Sequence, residues 1–155
     1  MDLAINFQNK SRLNVRVGAI IEHNNKFLVY RDNHAKYDYF IGGRIHLDES
    51  SLEAIHREIS EELNETVDIE RLLFVTENFF FEETLDLRYH ELGYYYLVHL
   101  KPDSIYLQNK VTSLPDQCEV KWVDLDGDVM PKDIFIHIRK HGIKEDIAHL
   151  IIVDN

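Results

Sequence analysis

The chain has one cysteine, Cys118, so no disulfide can form within it, and the thiol content fits a reducing compartment. Cys118 stands at the entry to an expected strand and reads as a buried structural thiol, not a nucleophile. Basic residues are scarce: 17 Lys and Arg face 28 Asp and Glu, a net charge of −11. A nonspecific nucleic-acid binder is therefore not expected. No apolar run approaches the length of a bilayer span, and the start lacks a basic-then-apolar signal pattern, so a cytoplasmic protein without a membrane segment is expected. With six glycines and three prolines there is no linker, low-complexity tract or internal repeat. What is present is a globular composition, 45% hydrophobic and 11% aromatic, over 155 residues. One domain spanning 1–155 is the expectation.

Hydrophobic patterning gives the coarse order. Residues 1–13 read as a lead-in or edge strand, Val15 to Glu22 as a strand, His23-Asn24-Asn25 as a turn, and Lys26 to Tyr30 as its hairpin partner. Arg31 to Lys36 is a polar loop in which Arg31 suits either a phosphate or a surface ion pair. Tyr37 to Ile41 forms a strand entering Gly42-Gly43. Ile69 to Phe81 and His90 to Leu100 are strands separated by a polar break. Residues 102–116 form a loop with room for one short strand, and Glu119 to Leu125 is a strand. Pro131 opens a region expected to be helical from Ile134, interrupted near Gly142 and resumed over 144–152.

The informative stretch is Gly42 to Asn64, GGRIHLDESSLEAIHREISEELN. Ser50 with Glu53 is a capping box, and Asp48 and Glu49 add negative charge at the helix start. Leu52, Ile55, Ile59 and Leu63 make an apolar stripe at helical spacing. Glu58, Glu61 and Glu62 share one edge of the same helix. Like charges at i,i+3 and i,i+4 repel by a few tenths of a kcal/mol, roughly 0.2–0.5 per pair. No basic residue follows to relieve them, and clustered carboxylate oxygens suit Mg²⁺ or Mn²⁺. The plainer reading of such a helix alone is a solvated acidic face.

The spacing decides between the two. Five residues separate Gly43 from Glu49, and seven more precede Arg57-Glu58-Ile59-Ser60-Glu61-Glu62. This resembles the Nudix box, G-x5-E-x7-R-E-U-x-E-E-x-G-U with U a bulky apolar residue; Gly43, Glu49, Arg57, Glu58, Ile59, Glu61 and Glu62 all match. Asn64 stands at the box glycine and Glu65 at the final apolar position, while Ile41 and Asp48 replace a proline and a glycine common upstream. Asn tolerates a left-handed backbone, and Val67 can fill the apolar space.

The resemblance implies an α/β fold, the Nudix-type α/β/α sandwich around a mixed β-sheet, MutT-like. It implies hydrolysis of the pyrophosphate bond in a nucleoside diphosphate linked to another moiety: a nucleoside triphosphate, nucleotide sugar, ADP-ribose or dinucleoside polyphosphate. It also implies Glu58, Glu61 and Glu62 as ligands of Mg²⁺ or Mn²⁺, with the Gly42 carbonyl as a further ligand. Glu58 doubles as base or water-orienting group, and Arg57 pairs with Glu49 to hold the helix. A later acid often completes such sites, and Asp116, Glu119 and Glu91 are the candidates. His90 is a candidate phosphate contact, and one or two of the strand aromatics could stack a base. The partner is a small nucleotide, and a homodimer is compatible. The alternative function is a non-hydrolytic nucleotide-binding or regulatory module, against which the intact acids argue.

Overall fold

A computed structural model describes residues 1–108, 111–113 and 118–154. The strands are β1 (Ala4–Phe7), β2 (Ser11–His23), β3 (Lys26–Arg31), β4 (Asp38–Arg44), β5 (Val67–Glu82), β6 (Leu87–Leu100), β7 (Val111–Ser113), β8 (Glu119–Val123), β9 (Val129–Met130) and β10 (Ala148–Val153). Two helices, α1 (Ser51–Leu63) and α2 (Lys132–His141), and one 3-10 turn (Ile105–Leu107) complete the described elements.

The sheet runs β10-β5-β6-β2-β4-β3-β8-β7, with β1 added to β2 and β9 to β4. It is mixed: β10–β5, β2–β6 and β4–β9 are parallel and the other pairs antiparallel. The β2–β3 hairpin turns on Asn24 and Asn25, both at positive φ (53° and 62°), as a two-residue turn matched to strand twist requires.

Strand alternation sends side chains to two faces. On one, Val17, Ala19, Ile21, Leu28 and Ile41 pack under Ala54, Ile55, Ile59 and Leu63 of α1. On the other, Ile20, Phe27, Phe40, Phe74 and Tyr95 pack under Ile134, Phe135 and Ile138 of α2. Phe40 meets Tyr95 and Phe135 edge-on, with centroids at 5.6 and 5.4 Å, locking the second layer. The expected α/β/α sandwich around a mixed sheet is what forms. No helix among the described residues is long and apolar enough to cross a membrane.

Three expectations need correction. The segment 144–152 does not resume a helix; Ala148–Val153 is a strand that pairs in parallel with β5 at the sheet edge. Its β-branched residues alternate in exposure, and only the long-range partner selects strand over helix. Helix α2 starts at Lys132, two residues before the expected Ile134, with Pro131 as its N-cap residue. Leu52 is 48% exposed, and Ala54, at 0%, takes its place in the buried stripe.

Candidate active site

The approach to α1 is built by local backbone chemistry. Asp48 adopts φ 66°, a conformation that explains why glycine suits this position. Ser50 then caps the helix: its hydroxyl accepts the Glu53 N–H, and the Glu53 carboxylate accepts the Ser50 N–H at 2.8 Å. At the far end Asn64 is left-handed (φ 53°, ψ 35°), and its N–H donates to the Ser60 carbonyl. Glu65 is drawn away from the core and accepts Ser104 Oγ at 2.6 Å and the Ile105 N–H at 3.0 Å. It thereby secures the 3-10 turn, while Val67 is buried in the α1 layer. Both departures at the end of the box have structural roles.

Arg57 is the hub. Its Nε and Nη2 donate to the two oxygens of Glu49 at 2.7 and 2.9 Å, Nη2 also donates to the Arg44 carbonyl at 2.9 Å, and Nη1 donates to Glu58 at 2.7 Å. Glu49 in turn accepts the His46 N–H at 2.8 Å. The Arg57 guanidinium, with help from the His46 amide, holds the Glu49 carboxyl down at about 2. Helix α1 is thus fastened to the end of β4 and to the loop that follows it.

The paired glycines make room for the acids. Gly42 has φ 147°, and a Cβ there would collide with the backbone at Val17 and Gly18. A Cβ on Gly43 would come within 2.5 Å of the Glu58 carboxyl carbon. Glu62 accepts the Gly42 N–H at 3.0 Å. Burial pushes the Glu62 carboxyl up to about 8; Glu58 and Glu61 add to the rise, and the Gly42 N–H and Arg16 oppose it. Glu61 is 59% exposed and lies 3.5 Å from Arg57.

Glu58, Glu61 and Glu62 therefore share an edge, but among the described residues no three acidic, histidine or cysteine side chains are gathered to hold an ion. Arg57 occupies Glu58, and Glu61 points to solvent. The donor set still fits a hard divalent cation. Every donor is an oxygen, and a cation would stabilise the ionised Glu62 that burial and its neighbouring acids disfavour.

The other candidates are dispersed. Glu119 begins β8, opposite Arg31 of β3, one strand removed from β4. Asp116 lies outside the described residues. Glu91 is buried in β6 and accepts Asn14 Nδ2 at 2.6 Å. Arg31 takes the ion-pair reading, bonding Asp38 at 2.6 Å. His90 stacks on Phe79 at 4.3 Å and lines an open groove of about 830 Å³ with Phe7, Arg12, Leu13 and Leu92. No box residue lines this groove. Of the aromatics, Tyr95 is core, Tyr94 and Tyr96 pack against the α1 layer, and Phe80 stacks flat on Tyr89 at 4.8 Å.

The family model described as the NUDIX domain matches residues 12–137. No curated protein matches the chain by sequence. Among solved structures, an ADP-ribose pyrophosphatase from Streptococcus suis is similar over 89% of this chain and 98% of its own, with a TM-score of 0.62 at 14% identity. A MutT protein from Bacillus halodurans is similar over 88% and 86%, with a TM-score of 0.67 at 17% identity. A MutT protein from Methanosarcina mazei is similar over 85% and 96%, with a TM-score of 0.59 at 20% identity. Identities this low speak to the fold, whereas the domain match spans most of the chain and carries the box, so the chain belongs to the NUDIX family.

Proposed function

We propose that the chain hydrolyses the pyrophosphate bond of a nucleoside diphosphate linked to another moiety, in a reaction that depends on Mg²⁺ or Mn²⁺ held by Glu58, Glu61 and Glu62. Nucleoside triphosphates, nucleotide sugars, ADP-ribose and dinucleoside polyphosphates all carry the bond concerned. The observation that supports this most is the seat of Glu58: one carboxylate oxygen is bonded to Arg57, and the group rests where only glycine at 43 leaves space. A surface acid of a merely solvated helix needs neither.

A bound divalent cation would neutralise phosphate charge and acidify water. The chain's own groups do the rest. Glu58 orients the attacking water or takes its proton, and Arg57 fixes the rotamer in which it can do so. The water oxygen bonds to phosphorus as the bridging oxygen departs with the electron pair of the broken bond. Glu62, anchored to the Gly42 amide, and Glu61, free to swing in from solvent, complete the oxygen set.

The test is product release from a panel of nucleoside diphosphate derivatives with Mg²⁺, Mn²⁺ or EDTA. Metal-dependent cleavage of one class, lost by about 100-fold or more in the Glu58→Gln, Glu61→Gln double variant, is expected. Full activity in that variant sinks the proposal. Binding without cleavage under every metal favours the non-hydrolytic module instead.

A further inference from the structure

Strands β1, β2, β6, β5 and β10 lie side by side, and one register row crosses all five: Ile5, Leu13, His90, Phe79 and Val153. Leu13 has the parity of Val17 and Ile21, so this row faces the α1 side of the sheet. The row on one side of it holds Phe7, Arg88 and Phe81; the row on the other holds Leu92, Glu77 and Ile151. At about 4.8 Å between strands and 3.3 Å per residue, the three rows cover roughly 19 by 13 Å.

Helix α1 leaves this end of the sheet bare. Ile5, Phe7, Phe81, Ile151 and Val153 are each 50–65% exposed. On β10 itself, Ile152 faces α2 and is only 7% exposed, so the exposure belongs to the face and not to the strand's place at the edge. The open groove beside His90 lies on the same face. Taking about 200 Å² for each whole side chain, the five offer on the order of 500 Å² of apolar surface. That is near the top of the 300–600 Å² or so that a monomer leaves in one patch. Half-buried Leu13, Phe79 and Leu92 extend it toward the roughly 800 Å² that each partner gives to a stable interface.

Charge selects the occupant. A chain of net charge −11 repels a copy of itself over most of its surface. In these three rows Glu77 is the one acid, and His149 is bonded to it at 2.8 Å. Arg88 is exposed and forms no ion pair among the described residues. Arg88 and Glu77 stand on opposite sides of the central row, on neighbouring strands. A two-fold axis along that row lays the Arg88 row of each copy over the Glu77 row of the other. Every such contact then occurs twice, cation beside anion, between apolar surfaces.

We propose that this face is where two copies of the chain dock, sheet on sheet, about a two-fold axis along the row of Ile5, Leu13, His90, Phe79 and Val153. The face adjoins the α1 layer without including a box residue, so docking leaves the box acids in place.

The test is sedimentation equilibrium of the wild type, Arg88→Glu, Ile151→Lys and the double variant Arg88→Glu, Glu77→Arg, over about 1–100 µM, each checked for folding by circular dichroism. The wild type should be a dimer, with dissociation at least about 10-fold easier in Arg88→Glu and in Ile151→Lys. The double variant restores opposite charges and should recover the dimer. If Arg88→Glu fails to fold, Ile151→Lys, changed at a mostly exposed position, carries the test alone. A wild type that stays monomeric throughout overturns the inference. So does a dimer that neither single variant weakens, because it would form on another surface. Dissociation in Arg88→Glu without recovery in the double variant overturns the axis assigned here. A monomer whose KM rises in Ile151→Lys also overturns the inference and gives the face to the substrate instead.

Discussion

The Glu58 carboxylate lies where the Cβ of any residue but glycine at position 43 would have to be. A helix acid is thereby brought flush against a strand backbone. Gly43→Ala should push Glu58 off its seat while leaving the strand intact, because the colliding group is the mobile end of a side chain. We expect kcat to fall by about 100-fold with only a small change in melting temperature. Gly42→Ala should behave differently. Its φ of 147° and the backbone at Val17 and Gly18 leave no escape, and it should cost about 2–4 kcal/mol by urea denaturation.

The Arg57–Glu49 pair makes a statement about acid stability. Glu49 is held down at about 2 from an ordinary 4.5, so the native state binds this proton less readily than the unfolded chain. The contribution is fully present above pH 4.5 and is lost as pH falls through that window toward 2. Glu49→Gln should lower stability at pH 7 by about 1–3 kcal/mol and flatten the decline between pH 4.5 and 2. Urea midpoints at pH 7, 4 and 3 check both effects. Parallel declines in the two proteins would show that the pair does not carry the dependence.

Asn64 tests the end of the box. Its left-handed conformation is unfavourable for a residue with an ordinary side chain, so Asn64→Ala should destabilise by about 1 kcal/mol. Asn64→Gly should be neutral or slightly stabilising. Thermal melts of both variants separate conformation from any chemical role of the amide.

Glu62 links metal to stability. If it is a ligand, Mn²⁺ at about 100 times its dissociation constant should stabilise the wild type by about 2.7 kcal/mol. Glu62→Gln should lose most of that shift while its melting temperature in EDTA stays near or above the wild-type value. Removing an acid that burial disfavours relieves the metal-free fold. An undiminished Mn²⁺ shift in Glu62→Gln would place the ion elsewhere.

Much of this was legible in the residues. Ser50 and Glu53 announce their cap, Gly43 through Glu62 announce the box, and Asn64 announces its own backbone conformation, because each depends on neighbours within a few positions. What the sequence concealed depends on partners far along the chain. Ala148–Val153 is a strand because β5 lies beside it, and its short apolar run does not declare that. The pairing of Glu49 with Arg57 followed from the Nudix resemblance, but that Arg57 would also take Glu58, leaving the acids of the described residues ungathered, could not be foreseen.

Helix α1 is tied to β4 at two points: through Arg57 to the Arg44 carbonyl near its middle, and through Glu62 to the Gly42 amide near its end. Two ties on one rod remove both its tilt and its roll. On the proposed reading, the box is a bench fixed to β4 on which the reacting bond is laid. A change in which substrates are accepted can be made away from the bench without resetting the chemistry, whereas a change at either tie would alter every substrate alike.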